Sequence, residues 1–139
     1  MRFACLFLLW LLPTAVIADP AAMQAVNALR AEKGRAALVH DTRLQAAAQG
    51  HADDMARRGY FSHSGRNGST VGDRVRAMDY TWCFVAENIA QGQTSLAQVM
   101  AGWAASKGHY RNIIHRKARA FGLARGAGNT WVMVLAAPC

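Results

Sequence analysis

The sequence has few acidic residues, few prolines and no long apolar stretch. Only eight of its 139 residues are Asp or Glu, against sixteen Lys and Arg, and only three are Pro. The longest apolar run, residues 3–12, is about half of the roughly 20 residues that a membrane-spanning helix needs. A nucleophile elbow, a phosphate-binding loop and an HExxH pattern are also missing. These absences argue against an α/β-hydrolase, a P-loop nucleotide hydrolase and a zincin protease.

The first eighteen residues are typical of an export signal. Arg2 provides a short basic start, the apolar run follows, and Ala18 offers the small residue at which signal peptidase cuts. We therefore expect cleavage after Ala18 and a secreted or periplasmic protein without a transmembrane segment. Residues 19–139 then have the size of one domain.

The basic excess persists after removal of the signal, with fifteen Lys and Arg against eight Asp and Glu. An exported basic protein suits anionic envelope material, either lipid headgroups or a cell-wall polymer. The alternative, that the charge serves only solubility, stays open at this point. Nucleic acid is not an expected partner, because no recognition motif accompanies the charge and the protein is exported.

Two cysteines remain after the signal and its Cys5 are removed. In an oxidising compartment, an isolated pair such as Cys83 and Cys139 predicts a disulfide. A catalytic cysteine is the alternative. It is disfavoured because Cys139 is the last residue and Cys83 lies between two aromatic residues.

Capping residues and apolar periodicity predict helices in the first two thirds of the domain and strands in the middle and at the end. Helices are expected over 20–33, 42–58 and 71–78, with a fourth that begins after Thr94 or Ser95 and ends at Gly108. Strands are expected over 82–90, 120–125 and 130–136, the last two as a hairpin. This order predicts one α+β domain with helices packed on an antiparallel sheet.

Glu87 is the most unusual residue, because it lies inside an apolar strand. An unpaired buried carboxylate costs several kcal/mol, so Glu87 must face a cleft or be matched by donors or a metal. His63 ends a loop and His109 lies at a predicted helix end, where side chains reach a groove. Two imidazoles and one carboxylate that converge could bind zinc with an open position or shuttle protons.

Other polar residues have simpler interpretations. His51 falls on the apolar face of its helix, where a core histidine with one hydrogen-bonded partner is favoured over a ligand. Asp53 and Asp54 point about 100° apart on that helix, which indicates a solvated face rather than a catalytic pair. His40 and His115 have no informative neighbours.

Five segments of the sequence, each present once, follow one another in a characteristic order and spacing within residues 23–137. They are HADDMARRGYFSH (51–63), AENIAQG (86–92), GWAASKGHYRNI (102–113), FGLA (121–124) and WVMVLA (131–136). Together they resemble the CAP superfamily, also called the SCP or antigen-5/pathogenesis-related-1 domain, in its compact bacterial form.

The resemblance implies a three-layer α-β-α sandwich with a central antiparallel sheet and a cleft that holds two histidines and acidic residues. By matching motifs, His63 is the first histidine, Glu87 the acid of the Gly-Glu-Asn motif and His109 the second histidine. Two departures stand out: Ala86 replaces the usual glycine, and Ser106 stands where eukaryotic members place a second glutamate. For Ser106 we expect a helix-end hydrogen bond rather than a nucleophilic role.

The resemblance also bounds the function. Members have been linked to lipid and sterol binding, to divalent-metal binding and to proteolysis. We expect a non-catalytic binding protein whose cleft, through His63, His109 and Glu87, holds zinc or another divalent cation, or a small and possibly lipid ligand. The alternatives are a hydrolase that acts on peptide or cell-wall substrate and an envelope scaffold without cleft chemistry.

Overall fold

A computed structural model of the chain describes residues 19–139. The predicted export signal, residues 1–18, lies outside the described residues. The described helices are α1 Pro20–Ala31, α2 Thr42–Arg58, α3 Val71–Arg76, α4 Leu96–Ala105 and α5 Lys107–Ile113. The strands are β1 Val39–His40, β2 Trp82–Gln91, β3 Ala120–Gly126 and β4 Thr130–Pro138, with a 3₁₀ turn Ala127–Asn129 between the last two.

Four strands form one sheet in the order β1-β3-β4-β2. The pairs β2–β4 and β3–β4 are antiparallel, as predicted, and β3 and β4 form the predicted hairpin. The sequence did not predict the short strand β1, which adds a parallel pairing with β3 at one edge of this antiparallel sheet. A strand of two residues has no alternating pattern, so nothing in the sequence distinguishes it from the loop around it.

The sheet separates two layers of helices, because alternate residues of a strand face opposite sides. Val132 and Val134 of β4 pack in a core with residues of α2 and α3. Met133 and Leu135 pack in a second core with residues of α1, α4 and α5. The predicted three-layer α-β-α arrangement is therefore confirmed.

Helix α2 lies directly on β3 at Gly122. A Cβ at this position would overlap the backbone of Leu44 and Gln45, closer than the 3.0 Å that real Cβ atoms keep. The missing side chain therefore sets the spacing between this helix and the sheet.

The predicted helix ends are correct where a cap marks them. Asp19 and Asp41 accept hydrogen bonds from the backbone at the starts of α1 and α2, and Gly59 ends α2 with φ 64°. The predicted end at Gly108 is wrong. Helix α4 ends at Ala105, the extended Ser106 (φ −97°, ψ 116°) separates it from α5, and Gly108 lies within α5.

The predicted disulfide is present: Cys83 and Cys139 are bonded, with 4.8 Å between their Cα atoms. It joins the start of β2 to the end of the chain, across 56 residues of sequence. No helix within residues 19–139 is long and apolar enough to cross a membrane.

The domain of residues 19–139, denatured without reductant, is expected to have no reactive thiol, and after reduction it is expected to have two per chain. Titration with a thiol reagent measures both states. Two free thiols in the unreduced sample would contradict the pairing of Cys83 with Cys139.

Candidate functional site

Glu87 lies at the centre of the site and is matched by two donors. Its side chain is 2% exposed on the face of β2 that meets α2 and α3. Nδ1 of His63 lies 2.7 Å from Oε1, and Arg74 donates to Oε2 at 2.7 Å. The expectation that this carboxylate has a partner or faces a cleft is met by the contact with His63 and, in addition, by Arg74.

Arg74, which the sequence did not single out, connects three parts of the site. It extends from α3, whose start is fixed by a capping box between Thr70 and Asp73. Its guanidinium donates to Glu87, to the carbonyl of His63 at 3.0 Å and to that of Ser69 at 2.9 Å. Its Nε is buried and has no hydrogen-bond partner among residues 19–139.

His63 is anchored on one side and open on the other. Its side chain is 60% exposed, and among residues 19–139 only its Nδ1 is engaged, by Glu87. A carboxylate accepts, so Nδ1 carries the proton of the neutral ring. Nε2 then holds the free lone pair and points away from the bond to Glu87.

His109 lies in the first turn of α5 and is half-buried. Its Nδ1 is 2.9 Å from the hydroxyl oxygen of Ser106. The hydroxyl of Ser106, at the junction of α4 and α5, thus bonds to a side chain in the first turn of α5 and makes no capping hydrogen bond to the backbone. Burial and the nearby charge of His63 lower the pKa of His109, which keeps the ring neutral near pH 7.

Two asparagines hold α5 against β2 beside Glu87. Asn88, fully buried, donates to the carbonyl of His109 at 3.1 Å. Asn112 donates to Oδ1 of Asn88 at 2.9 Å and to the carbonyl of Glu87 at 3.3 Å. Both residues lie in the quoted motifs, but only the fold shows that they bring the helix of His109 to the strand of Glu87.

His51 is a core histidine, as expected. It is 1% exposed, its Nε2 lies 2.8 Å from the carbonyl oxygen of Ser62, and burial lowers its pKa. The bond holds the loop one residue before His63. Asp53 is exposed, while Asp54 accepts from Arg57 and Tyr60, as a surface carboxylate does.

A cavity of about 270 Å³ lies between α2, α3 and the loop that joins them. His51, Asp54, Arg74 and Met78 are among the residues that line it. Arg74 thus contacts both this cavity and Glu87.

The sequence model of the cysteine-rich secretory protein family, CAP, matches residues 23–135. YkwD of Bacillus subtilis, an uncharacterized protein, is 29% identical over 93 residues, which are 67% of this chain and 36% of that protein. The uncharacterized membrane protein YlbC of the same organism is 29% identical over 64% of this chain and 26% of its own length. The chain thus spans about a third or less of the curated relatives that it matches.

Solved structures with the same fold include two bacterial surface or extracellular proteins. An extracellular protein of Bacillus anthracis that contains an SCP domain superposes with a TM-score of 0.77 at 25% identity, over 84% of this chain and 40% of that one. An outer surface protein of Borrelia burgdorferi also gives 0.77, at 21% identity, over 88% of this chain and 97% of that one. At this identity, the similarity to the Borrelia protein shows only that the two chains share a fold.

Proposed function

The chain belongs to the cysteine-rich secretory protein (CAP) family, and from the site that it carries we propose an exported protein that binds zinc or a similar divalent ion through His63 and His109. Export is supported by the disulfide and by the similarity to the extracellular Bacillus anthracis protein that contains an SCP domain.

The hydrogen bond between Glu87 and His63 is the observation that carries this proposal. A carboxylate that accepts from one imidazole nitrogen sets the tautomer and raises the basicity of the other, as in many zinc sites. Here Glu87 is itself held by Arg74, so the ring of His63 is fixed before any ion arrives. Nε2 of His63 is the ligand atom.

His109 supplies the second nitrogen. Its pKa is lowered, so its lone pair is available at neutral pH, and Asn88 and Asn112 fix its helix beside Glu87. Within residues 19–139, no group of three or more His, Cys, Asp or Glu side chains is placed to hold an ion. The two imidazoles thus bind with modest affinity and leave positions for water or an anionic ligand, which a bound divalent ion would attract as a Lewis acid.

Both oxygens of Glu87 contact donors, so this residue has a role different from the ligand role expected from the sequence. Glu87 orients His63 through Nδ1 and offsets the charge of Arg74. Replacing such a partner of a metal-bound histidine lowers metal affinity by about 10- to 100-fold in known sites.

Calorimetric titration with zinc tests the proposal. His63→Ala and His109→Ala are each expected to weaken binding at least about tenfold, and binding is expected to weaken between about pH 7.5 and about pH 5.5, since protons compete for the same nitrogens. His40→Ala is the matched control, because β1 lies at the opposite edge of the sheet from β2. A zinc affinity that is the same in the wild type and both site variants, and at both pH values, would refute the proposal.

Hydrolysis of peptide or cell-wall substrate is the second candidate, and the contact between Ser106 and His109 favours it. A hydroxyl 2.9 Å from an imidazole nitrogen resembles a nucleophile and its base. A hydrolase also needs a group that orients the base and donors for the oxyanion, and the described residues place no carboxylate on His109. Turnover of peptide or cell-wall substrate that needs no added metal and is lost in Ser106→Ala would establish hydrolysis as the function.

A small ligand is the remaining family function, and the cavity beside Arg74 is its candidate place. At about 270 Å³ the cavity is smaller than the 300–1,000 Å³ of typical ligand pockets. It therefore suits a compact molecule better than a lipid chain.

A further inference from the structure

Charge is distributed unevenly along the chain. Glu87 is the last acidic residue: residues 88–139 contain six Lys and Arg and no Asp or Glu. All the ion pairs among residues 19–139 lie earlier in the chain, where Arg43, Arg57, Arg58 and Arg74 are among the cations that contact a carboxylate. Residues 88–139 therefore have no acidic side chain of their own to pair with their cations.

The fold collects part of this unpaired charge around one surface depression at the end of α5. The depression, here called the basic hollow, has a volume of about 380 Å³ and is lined by Arg35, Arg111, Ile114, His115, Arg116 and Lys117. Among residues 19–139, no carboxylate lies within salt-bridge distance of any of the four basic side chains that line the hollow. Arg111, Arg116 and Lys117 are exposed.

Like charges crowd each other beneath the hollow. Arg30, 1% exposed, donates to the carbonyls of Ile113 and His115 at 2.8 and 3.1 Å, where the partial negative charge of the helix end is favourable. Burial, followed by the charges of Arg119 and Arg35, lowers the pKa of Arg30. Burial, followed by the charges of Lys117 and Arg30, lowers the pKa of His115. An anion bound at the hollow would relieve this repulsion.

The chemistry of the floor of the hollow distinguishes between two candidate anionic partners, a cell-wall polymer and a lipid bilayer. Although four of the six lining residues are basic, the floor is almost entirely apolar, formed by Ile114 and the hydrocarbon stems of the basic side chains. A hydrated polysaccharide or teichoic-type polymer gains little from an apolar floor, whereas a bilayer surface offers phosphates and hydrocarbon side by side.

We propose that the basic hollow docks the protein on the surface of a bilayer that contains anionic phospholipid, with Arg35, Arg111, Arg116 and Lys117 at the phosphates. The hollow is separate from the proposed metal site. Arg111 is two residues from His109 on α5, which turns their side chains about 200° apart. Docking requires no metal and no change at His63.

Vesicle co-sedimentation of the exported protein tests the proposal. Binding is expected to vesicles of phosphatidylcholine mixed equally with phosphatidylglycerol, to weaken as salt is added, and to be absent with phosphatidylcholine alone. Arg116→Gln/Lys117→Gln is expected to weaken binding about thirtyfold, because two cations leave the surface. Both side chains are exposed, so the fold should persist.

Arg57→Gln/Arg58→Gln is the matched control, since it removes the same charge from an exposed part of α2 where both arginines pair with Asp54. It is expected to weaken binding less than about threefold. Equal losses in the two double variants would show that net charge alone acts, and would overturn the hollow as the site. Binding to isolated cell-wall sacculi without binding to the mixed vesicles would assign the partner to the wall polymer and overturn the lipid proposal.

Discussion

Replacing Glu87 with leucine is expected to lower the free energy of unfolding by about 3 to 5 kcal/mol. The carboxylate is 2% exposed and contacts a guanidinium that is itself only 12% exposed. Its removal leaves the charge of Arg74 buried without an opposite charge, and that desolvated cation is the main source of the loss. Urea unfolding of the wild type and the variant measures it.

Two companion variants isolate the cause. Glu32→Ala is the matched control, because Glu32 is the only other glutamate, is exposed at the end of α1, and should change stability by less than about 0.5 kcal/mol. Glu87→Leu/Arg74→Leu should lose less than the sum of the two single variants, since neither charge is then left alone. A loss below about 1 kcal/mol in Glu87→Leu would contradict a buried ion pair at the centre of the site.

Replacing Gly122 with alanine is expected to destabilise the domain by more than about 3 kcal/mol. The added Cβ would overlap main-chain atoms of Leu44 and Gln45, which cannot rotate away as a side-chain end can. Helix α2 would have to move off β3, and with it His51 and the loop that carries His63. Thermal or urea unfolding measures the loss.

Gly102→Ala provides the control for this substitution. Gly102 lies inside α4, where an added Cβ would have no atom within 4 Å. Alanine favours a helix over glycine by roughly 1 kcal/mol, so this variant should be as stable as the wild type or more so. Equal stability of the Gly122 and Gly102 variants would contradict the close approach of α2 to the sheet.

The sequence predicted the elements whose ends carry a chemical signal. Asp41 before an apolar stripe and Gly59 after it mark α2 within one residue, because capping and left-handed backbone depend on local side chains. At the start of α5 the signal misled. Glycine commonly ends a helix, which suggested Gly108 as the end of α4. The break between the helices instead lies at Ser106, whose backbone is extended and after which α5 begins.

Three residues of the candidate site could be named from the sequence, but their contacts could not. His63, Glu87 and His109 followed from motifs and from the oddity of an acid in an apolar strand. Arg74 did not, because the domain has more than ten arginines and periodicity cannot say which of them lies against Glu87. The parallel strand β1 was missed for a similar reason, since its pairing with β3 joins residues about 80 apart in sequence.

The central claim is that Nε2 of His63 and of His109 bind the ion while Glu87 holds Nδ1 of His63. Nitrogen-15 NMR of the imidazoles, recorded before and after addition of zinc near neutral pH, tests it most directly. We predict that the Nε2 signals of these two histidines shift, that Nδ1 of His63 keeps its proton, and that His40, His51 and His115 do not respond. Unchanged signals at His63 and His109, or coordination of His63 through Nδ1, would contradict it.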